Sequence, residues 1–282
     1  MTWIIEDKAF AGGDILLPSL REQNQDVILW DDSFWDTEEY RSFPNGSVFH
    51  GSLENAARLC RMNLPNIISL CDEERFSYSY LCEQYNHYLL NGNPVFTTIS
   101  GLMEQPALLD VLQGDRIFAR PDSPLKAFSG RVLEKRNLTP AHFDYGFYHS
   151  DMNLPIVLCE YRNIEAEWRF VCVHGTIVTG CEYAAEGRKG VGVIDCNEKN
   201  EAWCFAQTIA NEGMQKDFAY IIDVCQSNGA LNLVEMNPFS GADLYLCDGE
   251  RIVHLWEYEQ AIRGSANSPF AGVRIVHSRE CE

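Results

Sequence analysis

The spacing of apolar and polar positions is most informative between Phe218 and Tyr245, FAYIIDVCQSNGALNLVEMNPFSGADLY. Tyr220–Val224 is an apolar run broken once, by Asp223. Leu231–Met236 is a second apolar run broken by Glu235, with Asn237 following. Between them stand Ser227, Asn228 and Gly229, and Asn-Gly flanked by apolar runs predicts a β-hairpin. Strand side chains alternate faces, so Glu235 and Asn237 point the same way. Asp223 joins them if the loop has an odd number of residues, and a three-residue loop with Gly229 in the left-handed conformation is the expected solution. Carboxylates within apolar strands need partners. The residues fit either a surface hairpin with solvated acids or a divalent cation site, since Mg²⁺ takes oxygen from one or two carboxylates plus substrate phosphates. The apolar neighbours on both faces favour the cation.

Upstream, the pattern predicts alternating strands and helices. Strands are expected at Thr2–Ile5, Asp26–Trp30, Ser47–His50 and Asn66–Leu70. One helix is expected to start at Ser52 as its N-cap and run through Arg61; another covers Tyr78–Leu90 and ends at Asn91-Gly92-Asn93-Pro94. No GxGxxG follows a strand, so a dinucleotide fold has no support. From Gln113 the texture changes. Arg116–Arg120 is a strand ending on a cation before Pro121, PDSPLKAFSG is a polar turn holding Lys126 and Gly130, and Arg131–Leu133 returns. A strand, a turn with a lysine and a returning strand suit the covering of phosphates, although one glycine and one lysine do not make a P-loop. Leu154–Tyr161 is a further strand. In EWRFVCV, Glu167 and Arg169 share a face with Val171 and Val173. A mid-strand arginine there pairs with a carboxylate such as Glu167 or binds an anion in a cleft.

Composition narrows the classes. The chain has 282 residues, 46% hydrophobic and 12% aromatic, which is the content of a folded protein of about two lobes. No apolar run approaches the roughly 18 residues of a membrane span, and the N-terminus lacks a signal-peptide core. Eleven cysteines without a CxxC pair read as buried thiols in a reducing cytoplasm rather than a disulfide framework or zinc site. A net charge of −19 disfavours a nucleic-acid backbone as partner. A nucleotide remains compatible, because a cleft can be basic on an acidic protein. Only six lysines are present, none between Lys8 and Lys126, and the middle of the chain uses arginine.

Taken in order, these motifs resemble those of an ATP-grasp enzyme over roughly Gln113–Tyr258. The resemblance implies an α/β (α+β) ATP-grasp fold preceded by an N-terminal α/β pre-ATP-grasp lobe. It places the lobe at residues 1–112, the ATP-grasp domain at 113–262 (lid about 113–165, catalytic core about 166–262) and a tail at 263–282. Arg120 falls where the family holds the α/β-phosphates from the strand before its flexible loop, and Lys126 and Gly130 lie in that loop. Val157–Tyr161, including Glu160 and Tyr161, matches the hinge that meets adenine. Glu167 matches an acid on the ribose hydroxyls, and Arg169 an arginine on the γ-phosphate or acyl-phosphate. Asp223, Glu235 and Asn237 match the metal-binding Asp…Glu-x-Asn set, and VEMNPFSGADLY resembles the strand and loop ending at the acceptor site. Most of the family has lysine where this chain has Arg120, and a loop richer in glycine. Two arginines with one lysine resemble a divergent subgroup proposed to be amide-forming ligases.

The resemblance therefore implies ATP and Mg²⁺ as cofactors and an ADP-forming carboxylate–amine or carboxylate–nucleophile ligase acting through an acyl-phosphate. Its substrates would be a small-molecule or peptide carboxylate and an amine acceptor. Lys126 and Arg169 are the catalytic candidates, because charge crowds at the transfer site. His142, His149 and His174 are expected in loops or turns. Arg188 and Lys189, in a Gly-flanked basic turn, either line the acceptor side or are solvated. A phosphotransferase on the same fold, or a nucleotide-binding module without catalysis, are the rival readings.

Overall fold

A computed structural model of the chain describes residues 1–11, 13–144, 151–185, 188–189, 200–213 and 218–264. Its first sheet is parallel, in the order β2-β1-β3-β4, from β1 (Thr2–Ile5), β2 (Asp26–Leu29), β3 (Ser47–His50) and β4 (Ile67–Ile68). Parallel neighbours require crossovers, and these run through α1 (Leu16–Glu22), the single-turn α2 (Phe34–Thr37) and α3 (Leu53–Met62). Ser52 caps α3, its Oγ accepting from Asn55 N at 3.4 Å. The strand expected over Asn66–Leu70 shrinks to two residues. Its far end is taken elsewhere: Leu70 N donates to Ser240 Oγ and the Leu70 carbonyl accepts from Ser240 N, while the Asn66 side-chain Nδ2 donates to the carbonyls of Tyr40 and Phe43.

A second sheet is antiparallel, in the order β5-β8-β6-β7. It comprises β5 (Val95–Thr98), β6 (Arg116–Pro121), β7 (Arg131–Glu134) and β8 (Pro155–Glu160), so it reaches back across residue 113. It is preceded by α4 (Tyr78–Tyr85), and α5 (Ile99–Glu104) and α6 (Ala141–Asp144) lie between its strands. The third sheet, in the order β11-β10-β9-β12-β13, is built from β9 (Ala166–Val173), β10 (Thr176–Ala185), β11 (Arg188–Lys189), β12 (Ala219–Ser227) and β13 (Ala230–Pro238). It is flanked by α7 (Glu201–Asn211) and α8 (Gly249–Gly264).

Strand alternation in the third sheet separates two cores. Phe170, Cys172, Ile222, Val224 and Met236 pack with Leu81 and Tyr85 of α4 and with Trp203, Ala206 and Ile209 of α7. On the other face, Val171, Val173 and Ile221 share a core with Trp3 and Ile5 of β1, Leu16 and Leu20 of α1, and Trp256 of α8. Trp3 meets Trp256 edge-on with ring centroids 5.2 Å apart, and Phe239 packs against the same indole. This common core fixes the parallel sheet against the strands that carry Arg169, Asp223 and Glu235.

The hairpin differs from its expected form. Ser227 pairs with Ala230, so the loop is the two residues Asn228 and Gly229, an even number. Both have positive φ, 51° and 73°, as the turn matching the twist of a hairpin requires. The ladder then slips: Val224 pairs with Leu233, but Asp223 pairs with Glu235, leaving Val234 as a β-bulge. The bulge supplies the odd residue expected in the loop, and it turns Glu235 and Asn237 to the face of Asp223. It is supported from outside, because Leu233 N donates to the Tyr88 carbonyl at 2.7 Å and Leu90 N to the Leu233 carbonyl at 2.9 Å. That pairing also explains why α4 stops at Tyr85 and does not run through Leu90.

Gly229→Ala should destabilise the fold by about 1 kcal/mol, the cost of a β-carbon in the left-handed region. Urea denaturation checks this, with a shift of midpoint at unchanged slope as the expected result.

Candidate functional site

Four strands present one cross-strand row on one face of the third sheet. Cys181 of β10 pairs with Arg169 of β9, Arg169 with Asp223 of β12, and Asp223 with Glu235 of β13. The Arg169 guanidinium grips Asp223 as a fork, with Nε 2.8 Å from Oδ1 and Nη2 2.6 Å from Oδ2. Its Nη1 donates to the Asp243 carbonyl, which lies past the turn after β13. Arg169 therefore pairs with Asp223 and not with Glu167, its neighbour on the same strand face. The Glu167 carboxylate accepts from the Tyr183 hydroxyl at 3.2 Å instead.

Cations from the second sheet meet Glu235. Arg120, at the end of β6, donates through Nη2 to Glu235 Oε2 at 2.6 Å, and Lys126 Nζ donates to Oε1 at 2.9 Å. The Asn237 amide joins the two acids, its Nδ2 lying 2.9 Å from Asp223 Oδ2 and 3.0 Å from Glu235 Oε1. Arg120, Lys126, Arg169, Asp223, Glu235 and Asn237 thus form one connected network. Aromatic rings wall it. Tyr78 lies under the Arg120 guanidinium at 4.9 Å, and Tyr245, stacked on Tyr183, lies 4.6 Å from that of Arg169.

Burial acts on Glu235, Asp223, Arg169 and the nearby Glu167, and their partners decide the outcome. Burial alone pushes the Glu235 carboxyl up, but Arg120 and then Lys126 outweigh it and hold it well below the usual carboxylate range. Asp223, with no exposed surface, is pushed up by burial while Arg169 pulls against the shift. Burial works against the charge on Arg169, yet Asp223 beside it raises its pKa well above the ordinary value. Glu167 is raised by burial and then by the charge of Asp223.

The lysine loop is pinned on both sides. Lys126 has φ 52°, unusual for a residue with a β-carbon, and it is the side chain reaching Glu235. Leu125 packs against the core of the parallel sheet and Phe128 in that of the second sheet. At the loop's start, Asp122 accepts from Ser79 N and Oγ at 2.7 and 2.9 Å. Gly130 has a packing reason to lack a side chain, since a Cβ there would stand 2.5 Å from the Phe118 ring.

Glu160 and Tyr161 lie outside the network at the end of β8. Glu160 pairs with Ile117, and its carboxylate accepts from Gln113 N at 3.2 Å and Arg162 Nη2 at 2.8 Å. Tyr161 is covered by the Arg116 guanidinium at 4.0 Å. His142 lies in the single-turn α6 and not in a loop, with its Nδ1 2.8 Å from Thr139 Oγ1, whereas His174 is a turn residue between β9 and β10 with φ 51°. His149 lies outside the described residues. Arg188 and Lys189 form β11 opposite Ala185 and Ala184, and their side chains lie outside the described structure. Sequence reasoning missed the supports Tyr78 and Tyr183. Nothing in their local pattern marks them, because each acts from a different element across the fold. Asp243 and Tyr245 fall within the ADLY stretch already singled out.

An antiparallel sheet that carries cations and carboxylates in one row, topped by a lysine loop from a second antiparallel sheet, defines the ATP-grasp class. The family model for the ATP-grasp domain, R-2-K clade family 2, matches residues 107–255, more than half of the chain, and the protein belongs to that family. The fold is similar to that of D-alanine–D-alanine ligase from Bacillus anthracis, with 10% identity, TM-score 0.56, and coverage of 93% of this chain and 98% of that one. It is also similar to the ATP-grasp ligase PsnB in complex with a minimal precursor, Mg and ADP (9% identity, TM-score 0.55, coverage 92% and 98%). A RimK domain ATP-grasp protein from Sphaerobacter thermophilus gives 8% identity, TM-score 0.53, and coverage of 92% and 94%. No curated protein matches the sequence. Among the described residues, no helix is long and apolar enough to cross a membrane.

The depressed Glu235 carboxyl gives a pH signature. A carboxylate held below its unfolded value stabilises the fold above that value, about 4.3 for glutamate, and the contribution is lost as pH falls below it toward the lower folded pKa. Glu235→Gln should therefore show a shallower loss of stability between about pH 4 and 3 than the unaltered protein, read from urea midpoints across pH. Asp223→Ala, which leaves a buried arginine unpaired, should cost about 3–5 kcal/mol. The double replacement Asp223→Leu with Arg169→Met should recover much of that loss.

Proposed function

We propose that this protein is an ATP-dependent, ADP-forming ligase that joins a carboxylate to an amine or other nucleophile through an acyl-phosphate. The observation that carries the reading is the connected network of Arg120, Lys126 and Arg169 with Asp223, Glu235 and Asn237. It brings three cations, drawn from two sheets and a loop, against two acids on one hairpin. Phosphoryl transfer needs positive charge and fixed geometry more than a covalent nucleophile. In this arrangement each cation already faces an anion, and binding exchanges partners. Arg120, Lys126 and Arg169 would hold the triphosphate and Asp223 and Glu235 a divalent cation, so little charge would be left uncompensated in either state.

The donor set fits Mg²⁺. Asp223 Oδ2 and Glu235 Oε1 both lie within 3.0 Å of one atom, Asn237 Nδ2, so hard oxygen donors from adjacent strands already converge. Among the described residues no group of three His, Cys, Asp or Glu side chains could hold a metal, so a cation here would draw further oxygens from substrate phosphates. Asp223 and Glu235 would hold the ion, and Asn237 would join by turning its amide to present Oδ1. The bound ion would neutralise phosphate charge.

The protein's own groups then carry distinct roles. Arg120, seated on Tyr78, holds the non-bridging oxygens next to the leaving group. Lys126, at the tip of its loop, closes over them and excludes water. Arg169, released from Asp223 in that exchange and still held through Nη1 by the Asp243 carbonyl, directs its fork at charge building on the γ-group. A substrate carboxylate oxygen attacks the γ-phosphorus and ADP leaves; the nucleophile then attacks the acyl carbon and inorganic phosphate leaves. Glu160 and Tyr161 at the end of β8 are assigned to the adenine edge, and Glu167 to the ribose. Residues 1–112 form the preceding lobe and 113–262 the ATP-grasp domain on this reading. A cytoplasmic location is proposed from the free thiols.

Turnover with ATP should give ADP and phosphate, only in the presence of a suitable carboxylate, and hydroxylamine should trap the acyl-phosphate as a hydroxamate. Release of AMP and pyrophosphate, or turnover indifferent to every carboxylate in a broad panel, would overturn the proposal. A stable phosphorylated product formed without any amine would favour a kinase. Arg169→Lys should lose most of the activity, because a point charge does not reproduce the fork; near-normal turnover would reduce Arg169 to a structural cation.

A further inference from the structure

The row that begins at Glu235 and passes through Asp223 and Arg169 ends on a thiol. Cys181 faces Cys247 with their Sγ atoms 3.7 Å apart, and the Cys247 thiol lies 3.8 Å from the Arg169 carbonyl oxygen. Cys247 belongs to the segment between β13 and α8 that surrounds Arg169. Asp243 supplies a carbonyl to the guanidinium, Tyr245 stands beside it, and Asp248 N donates to Thr179 Oγ1 at 2.9 Å. Both cysteines are buried, at 0% and 6% exposure, but their cover includes exposed residues. Leu246, the residue before Cys247, is 51% exposed and Tyr245 is 38% exposed.

We propose that Cys181 and Cys247 are a paired oxidation site, closed to a disulfide by hydrogen peroxide and reopened by thiols, which adjusts the seat of Arg169. The Cys181 thiolate attacks one peroxide oxygen, giving a sulfenic acid and hydroxide. The Cys247 sulfur then attacks the Cys181 sulfur, the S–S bond forms, and the sulfenic oxygen leaves as hydroxide. The two thiol protons convert the two hydroxides to water, so peroxide is reduced by the two electrons the sulfurs lose. The pair is asymmetric in the needed sense. The Cys247 thiol beside it lowers the pKa of Cys181, whereas Cys247 is itself raised well above the ordinary value, first by that same contact and then by burial.

Cys159, Cys172 and Cys225 are pushed by burial up to about 12, which keeps them protonated and inert. A disulfide needs an S–S distance near 2.05 Å, so closure draws the two sulfurs together by about 1.7 Å. Cys181 is held in the ladder of the sheet, so the 243–248 segment makes most of the movement, and Asp243 and Tyr245 move with it. The consequence for turnover rests on the ligase reading; the cross-link itself does not.

The full chain is treated with hydrogen peroxide, its remaining thiols are alkylated, and tryptic peptides are mapped. The expected product links peptide 170–188 to peptide 217–251. Those peptides also hold Cys172 and Cys225, so the link should vanish in Cys181→Ser and in Cys247→Ser but persist in Cys172→Ser and in Cys225→Ser. Dithiothreitol should remove it. Carboxylate-dependent ADP formation should fall severalfold on oxidation and return on reduction, while Cys247→Ser keeps its activity through the same treatment. No 181–247 link in the unaltered protein, or a link with undiminished turnover, would overturn the proposal. Formation of the link in a protein that makes no ADP with any carboxylate would sink the ligase reading and leave the oxidation site standing.

Discussion

The buried fork between Arg169 and Asp223 is the interaction on which the candidate site depends. Both groups are nearly sealed from water, at 5% and 0% exposure. Two such charges are tolerable only while each satisfies the other with good geometry. Meeting that demand fixes several things at once. It holds β9 and β12 in register and orients the guanidinium toward Asp243. It also leaves one oxygen of Asp223 beside the Asn237 amide, which in turn contacts Glu235. Glu235 then gathers Arg120 and Lys126 from a separate sheet. A single desolvated pair on adjacent strands thereby organises charges that are far apart in sequence.

The architecture spends its apolar surface on keeping this row in place. Below it, the same strand faces carry Val171, Val173 and Ile221 into the core shared with Trp3 and Trp256. On the reverse face, Phe170, Ile222 and Met236 are buried under α4 and α7. Fully burying a large apolar side chain is worth roughly 1.5–3 kcal/mol, so several of them on both faces outweigh the cost of the polar row. A site assembled this way has its strands fixed by packing on both faces, and the Lys126 loop packs against two cores through Leu125 and Phe128.

Much of this is legible in the residues. The hairpin, its acids, the strand ending on Arg120 and the lysine turn are all local patterns, and strand periodicity alone places Glu235 and Asn237 on one face. Parity is legible too, in that an odd residue is needed for Asp223 to join them. The place of that residue is not, because a bulge at Val234 depends on pairing with Tyr88–Leu90, well over a hundred residues upstream, and no local signal reports that contact. The short β4 and the early end of α4 have the same origin: backbone groups committed to Ser240 and Leu233 cannot continue their own element. The choice of Asp223 over Glu167 as partner of Arg169 likewise follows from sheet order, with β12 placed beside β9, which periodicity within one strand does not encode.

The central claim is that a substrate carboxylate attacks the γ-phosphorus in the cleft formed by these cations. It is tested most directly with any carboxylate that supports ADP formation, labelled with ¹⁸O in both oxygens, by mass analysis of the phosphate released on ligation. The account predicts inorganic phosphate carrying one ¹⁸O, passed from the carboxylate through the acyl-phosphate. Label appearing in AMP, or phosphate without label, would contradict it.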